Sequence, residues 1–370
     1  MPPKPRLLVL TPDFPPARGG IQVLSHRLAA GMKGFETRVV AGDAPGADGF
    51  DRDVGLSVRR VRTDPRLGPA RNIPLNAVAV AIGARFRPAV TLSVHIVTSP
   101  AAALISRLTG APTVQYFHAK EIGAKPKLAA FAATNAQVAI AVSRYTAGLI
   151  AATGVDSART RLISPGVDLP NEASPLPEPR PTLLTIARLE DRYKGHDVII
   201  RSLPLLRAAV PDAQWVVIGD GPLRPGLERL AAAHGVSDAV HFLGTVSDQE
   251  RDGWLRRASA LAMPSRLPDG GFAGEGFGIV YLEAGAFGRP VLAGNVAGAL
   301  DAVVDGETGL LVDPTDHVAV ARAAAELLSD ASLAQRLGEN GARRARDLAW
   351  PQICERVEAT LRECLDGAGS

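Results

Sequence analysis

Two doubly wound, Rossmann-like α/β domains facing a cleft are what this sequence predicts, and three observations predict them. Short apolar runs alternate with helical stretches, the alternation breaks in a proline-rich segment, and it then restarts at similar size. Runs that are apolar on both faces suit parallel strands covered by helices. At 370 residues the chain is too long for one comfortable core and too short for three. The expected boundaries are 1–166 for a first domain, 167–181 for a linker, 182–347 for a second domain and 348–370 for a final helix. Ligands of such sheets bind at the carboxyl ends of the strands, so the inter-domain cleft is the expected site.

The elements follow in order. Arg6–Leu10 reads as a strand, Thr11 to Gly20 as a Pro/Gly loop, and Ile21, Leu24, Leu28 and Met32 recur at helical spacing. Further strands are expected at Thr37–Ala41, Val90–Val97, Thr113–Phe117 and Gln137–Val142. Six prolines from Pro165 to Pro181, with little periodicity, mark the linker. The second domain reads as strand Leu183–Ala187, helix His196–Ala209, strand Gln214–Gly219, helix Leu223–His234, and strands Ala239–Leu243 and Leu261–Met263. A helical stretch after Gly278 through Ala286, strands Pro290–Ala293 and Gly309–Val312, and a helix from about His317 to Leu328 complete it. A last helix, Leu348–Leu365, carries Ile353, Val357 and Leu361 on one face.

Hydrophobic residues are 46% and charged residues 21% of the chain, which excludes a disordered or fibrous protein. No apolar run reaches the ~18 residues of a membrane span. Met1-Pro-Pro-Lys-Pro-Arg runs straight into a strand, so a secretory leader is not expected. Cys354 and Cys364 are ten positions apart in one helix and face different ways, so a reducing cytoplasm is the expected compartment. The net charge of +3 is unevenly split: residues 1–170 hold 21 Lys/Arg against 10 Asp/Glu, and the remainder holds 20 against 28. Eight arginines face two aspartates between Arg52 and Arg87, which points to an anionic partner. No series of aromatic stacking platforms alternates with these arginines, so nucleic acid is not expected.

The chemistry concentrates in Gly270-Gly-Phe-Ala-Gly-Glu-Gly-Phe-Gly-Ile-Val-Tyr-Leu-Glu283, five glycines in nine positions feeding a helix. Backbone N–H groups and the positive helix end make an anion site. Glu275 and Glu283 fit there as acceptors for paired sugar hydroxyls rather than as phosphate ligands. Arg188 and Lys194 follow the first strand of the second domain, placed to neutralise a diphosphate. Gly19-Gly20 joins the first strand to the first helix and permits close backbone approach, without the dinucleotide fingerprint G-x-G-x-x-G. His118 follows the strand Thr113–Phe117 and is expected to point into the cleft, facing the glycine loop.

Together these residues resemble the retaining glycosyltransferases of family 4, which have the GT-B fold. The resemblance covers nearly the whole chain. It is carried by Ala187-Arg-Leu with Lys194-Gly-His-Asp, Val217-Ile-Gly-Asp-Gly-Pro222, Gly274-Glu-Gly-Phe-Gly with Glu283-Ala, Asp305-Gly-Glu-Thr-Gly-Leu-Leu-Val312, Ala141-Val-Ser-Arg144 and Ser164-Pro-Gly-Val-Asp168. It implies that Arg188 and Lys194 bind the diphosphate of a nucleotide sugar and that Glu275 holds hexose hydroxyls. It also implies that amides around Phe277, Gly278 and Ile279 touch phosphate, that Glu283 holds the ribose, and that Gly19 and Gly20 lie against the donor phosphates. His118 is implied near the sugar and the acceptor, so the catalytic set is His118, Glu275, Arg188 and Lys194. The family commonly has glycine where Ala187 stands, but the cation beside it is retained. No metal and no cofactor beyond the nucleotide-sugar co-substrate are expected, and the last helix is expected to return to the first domain.

Within the family, the Arg266–Tyr281 run and His118-Ala-Lys-Glu-Ile122 look most like the phosphatidylinositol mannosyltransferase branch. That implies GDP-mannose as donor, with UDP-glucose or UDP-N-acetylglucosamine next, and a hydroxyl acceptor on an anionic lipid or phosphorylated glycan. Arg59, Arg60 and Arg62 are expected on the acceptor side, with the chain peripheral on the inner face of a membrane. The competing readings are a GT-B epimerase or phosphorylase, and a non-catalytic nucleotide-sugar-binding partner. A pyridoxal-dependent phosphorylase needs a cofactor lysine, and the second domain has only Lys194.

Overall fold

The computed structural model describes residues 3–170, 180–268 and 274–367. Residues 171–179 of the expected linker, and Asp269 to Ala273 at the start of the glycine-rich run, lie outside them. The chain divides into two compact units, Met1–Gly166 with Trp350–Ser370, and Val167–Ala349.

The first unit is built on seven strands: β1 (Arg6–Thr11), β2 (Glu36–Gly42), β3 (Ser57–Val61), β4 (Val90–Ser93), β5 (Thr113–Phe117), β6 (Val138–Ala141) and β7 (Thr160–Leu162). They lie in the order β3-β2-β1-β4-β5-β6-β7, all parallel. Its helices are α1 (Gly20–Gly31), α2 (Ala47–Val54), α3 (Ile73–Phe86), α4 (Ser99–Thr109), α5 (Ala119–Ala124), α6 (Pro126–Asn135) and α7 (Arg144–Ala151). Leu7 to Leu10 are all buried, as a central parallel strand with helices on both faces requires. Leu8, Leu10, Val40, Phe86 and Ile105 form one apolar cluster, and Phe117, Ile122, Ala133 and Ile150 form another.

The second unit holds β8 (Thr182–Ile186), β9 (Gln214–Ile218), β10 (Val240–Gly244), β11 (Ala260–Met263), β12 (Val291–Gly294) and β13 (Gly309–Val312), ordered β10-β9-β8-β11-β12-β13 and all parallel. The helices are α8 (His196–Ala209), α9 (Arg224–Ala233), α10 (Asp248–Arg257), α11 (Ile279–Ala286), α12 (Ala299–Ala302), α13 (His317–Ser329) and α14 (Ala331–Asp347). Helix α8 packs on α13 and α11 on α14, and the core is built around Trp215, Leu183, Ile199, Leu203 and Leu327.

The last helix, α15 (Trp350–Gly367), belongs to the first unit and lies on α1. Its approach depends on small residues. A Cβ at Gly31 would stand 2.3 Å from Sγ of Cys354, and one at Gly166 would stand 2.7 Å from the Trp350 ring. Glu358 accepts the Gly34 N–H at 3.1 Å. Both cysteines are buried free thiols.

Two expectations need correction. The strand expected over Val90–Val97 stops at Ser93, and Ile96–Thr98 is a 3₁₀ turn. The chain leaves the sheet because the His95 carbonyl accepts both the Thr98 N–H, at 3.0 Å, and the Thr98 hydroxyl, at 2.8 Å, which bends it into α4. Strand β3 went unread because Ser-Val-Arg-Arg-Val carries too much charge for an apolar run. Among the described residues it pairs with β2 alone, and an edge strand tolerates charges that an interior strand cannot.

Candidate functional site

In the second sheet β8 and β11 are neighbours whose connections leave in opposite directions. The topological switch point, where such folds bind ligands, is therefore between them. The loop after β8 carries Arg188 and Lys194. Its backbone stays tied to the extension of β9, Ala187 N–H to Ile218 O at 3.0 Å and Leu189 N–H to Asp220 O at 2.9 Å. Gly219 makes this possible: its φ is +131°, and a Cβ there would lie 2.0 Å from the Ala187 carbonyl oxygen. A 3₁₀ turn, Arg192–Lys194, then leads into α8.

The loop after β11 is clamped to the first loop. The Arg266 N–H donates to Tyr193 O at 2.8 Å, and its guanidinium grips both oxygens of Asp197 at 2.9 and 3.0 Å. Planar bidentate pairing of this kind fixes orientation as well as distance. Beyond the undescribed stretch, Glu275 arrives with its carboxylate on the ammonium of Lys194. Gly278 takes φ +87° and opens α11, and a Cβ there would meet the Tyr281 ring at 2.4 Å. The Tyr281 hydroxyl donates to Met263 O at 2.7 Å, pinning α11 to the end of β11. Phe277 is buried, and Gly278 and Ile279 stand at the helix N-terminus, where the first-turn N–H groups lack intrahelical partners.

Of the sequence-derived residues of this unit, Lys194 and Glu275 are in contact, and Arg188 and Glu283 stand on the segments that follow β8 and β11, so that three electrostatic states are seen. The Lys194 side chain is 17% exposed and Glu275 13%; burial pulls the lysine down, but Glu275 outweighs it, so the ammonium is held above its ordinary range. Arg188 is 67% exposed and reaches Glu190 at 3.3 Å, an ion pair of little energetic weight. Glu283, in α11, is pushed up by burial, opposed by Arg251 at 3.6 Å, with Asp252, Asp168 and Asp248 pushing the same way as burial. Two residues of this neighbourhood were not read from the sequence. One is Arg251, on α10, which carries no local motif. The other is His196, whose buried ring is driven down to about 4, chiefly by burial and then by Lys194.

In the first sheet the switch point falls between β1 and β4. Asp13 leaves β1 and accepts from Gln22 Nε2 at 3.0 Å, and Gly19 and Gly20 close the loop into α1. His118 follows β5. Its Nε2 lies 2.9 Å from Val94 O, and since a carbonyl only accepts, that nitrogen carries the proton. Burial, aided by His95, lowers its pKa against the pull of Glu121, so the ring is neutral. His95 and Glu121 were also missed. His95 was hidden by the overlong strand; Glu121 stands three residues after His118, the spacing of a capping box.

The arginine trio is sorted by strand alternation. Arg59 points outward from β3, and Arg62 is exposed, with Asp43 at 3.5 Å. Arg60 points inward. Its guanidinium takes both Asp51 oxygens at 3.0 and 2.7 Å, donates to Gly42 O at 3.0 Å and to Pro15 O, and lies 5.0 Å from the Phe14 ring centroid. Only 9% of the side chain is exposed. Arg60 is thus a structural residue of the first unit, and the expected acceptor-side set reduces to Arg59 and Arg62.

Comparison with known proteins adds the following. Residues 18–170 match the family model described as Glycosyltransferase Family 4, and residues 170–344 match that of Glycosyl transferases group 1. A GDP-mannose-dependent alpha-(1-6)-phosphatidylinositol monomannoside mannosyltransferase of Mycolicibacterium smegmatis is 34% identical over 92% of this chain and 94% of its own. The GDP-mannose-dependent monoacylated alpha-(1-6)-phosphatidylinositol monomannoside mannosyltransferase of Corynebacterium glutamicum is 30% identical over 96% and 98%. Among solved structures, HepE of Anabaena in complex with UDP and glucose superposes with a TM-score of 0.78 at 20% identity, covering 96% of this chain and 99% of its own. Sucrose-phosphate synthase of Thermosynechococcus elongatus gives 0.82 at 20% identity, covering 98% and 100%.

Proposed function

Because this chain belongs to the family 4 and group 1 glycosyltransferases, with the GT-B fold, we propose that it moves mannose from GDP-mannose to a hydroxyl of an anionic, phosphatidylinositol-type glycolipid, with retention of configuration. The observation that carries the donor half is the Lys194–Glu275 pair beside the N-terminus of α11, with Arg188 on the same sheet edge. Cation, carboxylate and oriented amides are the complement of a sugar diphosphate. Arg188, Lys194 and the amides near Phe277, Gly278 and Ile279 stabilise the leaving diphosphate as its charge grows. Glu275 orients the hexose through its hydroxyls. Retention follows if the acceptor attacks the face the diphosphate leaves, with the departing phosphate oxygen accepting its proton. No step in this scheme calls on a metal. The acceptor half draws on the names of the mycobacterial and corynebacterial relatives and on the exposed arginines of the first unit.

The test is a thermal-shift panel of GDP, UDP, ADP and their sugars, followed by turnover with and without a phosphatidylinositol mannoside. Selective stabilisation by GDP and acceptor-dependent release of GDP are expected. Stabilisation by UDP alone would move the donor to UDP-glucose or UDP-N-acetylglucosamine. Binding without turnover would favour a non-catalytic partner, and nucleotide release without an acceptor an epimerase-like or hydrolytic site.

Two expected outcomes attach to this reading. Glu283→Ala weakens binding of GDP and GDP-mannose alike, by roughly ten- to a hundred-fold, since a charged hydrogen bond to the ribose is worth about 1.5–3 kcal/mol. Calorimetry with both ligands checks it; unchanged affinity removes the ribose assignment. Neutralising Arg59 and Arg62 together raises the acceptor Michaelis constant several-fold and flattens its salt dependence, because exposed charges are screened within about 8 Å at physiological salt. The donor constant stays in place. Co-sedimentation with anionic and neutral liposomes separates attachment at a membrane surface from contact with a soluble acceptor. No helix among the described residues is long and apolar enough to cross a membrane, so attachment in this reading is peripheral.

A further inference from the structure

Glu121 is buried between the loops that leave β4 and β5, and both loops donate to its carboxylate. Oε1 accepts the backbone N–H of His118 at 3.0 Å. Oε2 accepts the Ile96 N–H at 3.1 Å and lies 2.8 Å from Nδ1 of His95. Burial alone would favour a neutral carboxyl, yet His95 and then His118 outweigh it and hold Glu121 below its ordinary range. His95 answers in kind: burial pulls it down, and Glu121, with help from Asp13 and against Lys125, carries it above the ordinary histidine value. His118, facing Glu121, His95 and Asp13, ends below that value. Two imidazoles 6.4 Å apart are thus shifted in opposite directions, His95 toward the charged form and His118 toward the neutral one.

We infer that Glu121 is the positioning residue for His118, with His95 as its counter-charge, and the inference rests on the glycosyl-transfer reading above. By taking the His118 N–H, Glu121 sets where β5 turns into α5 and so where the ring stands. The cation on His95 discourages a second proton on His118. A neutral ring is what transfer needs beside the sugar, because a cation there would repel the positive charge that develops at the anomeric carbon.

Glu121→Gln keeps the shape and removes the charge. Expected are a fall in kcat of about ten-fold or more with the Kd for GDP within about two-fold, since the nucleotide contacts are assigned to the second unit and the Gly19-Gly20 loop, while Glu121 bonds to His118, Ile96 and His95. Glu121→Asp recovers part of the loss, and in a His118→Ala background Glu121→Gln costs nothing further. Ring titration by NMR, without substrate, shows His95 titrating at lower pH than in the wild type, because the ring without its carboxylate partner loses its proton earlier. If Glu121→Gln does not fold, His95→Gln serves: kcat falls and the His118 titration rises. Full additivity with His118→Ala, an unmoved His95 titration, or loss of GDP affinity in step with kcat would overturn the inference. Should the wild type turn over no nucleotide sugar, the transfer reading fails, and the inferred role at His118 with it. The NMR titration then still decides the His95–Glu121 pair.

Discussion

Lys194→Ala is expected to reduce transfer by about 10²–10³ in kcat, the usual cost of removing one preorganised group from developing charge. The same substitution is expected to weaken GDP far more than guanosine, since a charged hydrogen bond to the diphosphate is worth about 1.5–3 kcal/mol. Lys194 is paired with Glu275, so its alanine variant also strands the Glu275 carboxylate, which is only 13% exposed. Two companions separate the effects. Arg188→Ala disturbs an exposed pair with Glu190, so its loss of GDP affinity is free of any folding cost. Glu275→Gln should depress kcat while leaving GDP affinity nearly intact, because the product nucleotide carries no hexose. Kinetics with GDP-mannose, with calorimetry of GDP and guanosine, decide the matter. Equal losses for nucleoside and diphosphate would defeat the assignment of Lys194, and wild-type turnover in Glu275→Gln would make the loop glutamate structural.

Arg60→Ala is expected to destabilise the first unit by about 3 kcal/mol, the low end of the 3–5 kcal/mol seen when one partner of a buried ion pair is removed. Asp51, 19% exposed, would lose both of its guanidinium contacts, and the carbonyls of Gly42 and Pro15 would lose a donor. For a domain of this size each kcal/mol moves Tm by roughly 2–4 °C. Arg60→Lys should recover little, because an ammonium cannot reproduce a bidentate fork. Arg59→Ala and Arg62→Ala should melt within about 0.5 kcal/mol of wild type. Thermal and urea unfolding of the four variants provide the check, and a wild-type melting curve for Arg60→Ala would return that residue to the surface. The contrast also governs experiments on the acceptor: a triple arginine variant would confound lost contacts with lost stability.

Much of the site was legible because backbone chemistry is local. A glycine before a helix, as at Gly278, or cations just past a strand, as at Arg188 and Lys194, are positions that parallel-sheet topology sends to the carboxyl edge. Helix α8, His196–Ala209, was expected near those bounds, since its apolar face repeats at 3.6. The edge strands β3 and β7 were not, because strands of three to five residues with arginines carry no periodic apolar signal.

From its sequence alone the protein had an α/β alternation, two domains and a set of chemically apt residues at strand ends. Only the tertiary structure decided how those residues are held. Lys194 and Glu275 are 81 positions apart, and the sheet order β8-β11 brings them into contact. Glu121 reaches Ile96 across 25 positions because β4 and β5 are adjacent, and that closeness shifts His95 up and His118 down. Arg59 and Arg60 are neighbours in sequence with opposite fates, one solvated and one buried, because successive side chains of a strand point to opposite faces. Residue type and local spacing suffice to say which groups can do chemistry. Their charge, partner and exposure depend on what the fold packs beside them, since burial and neighbouring charges set both.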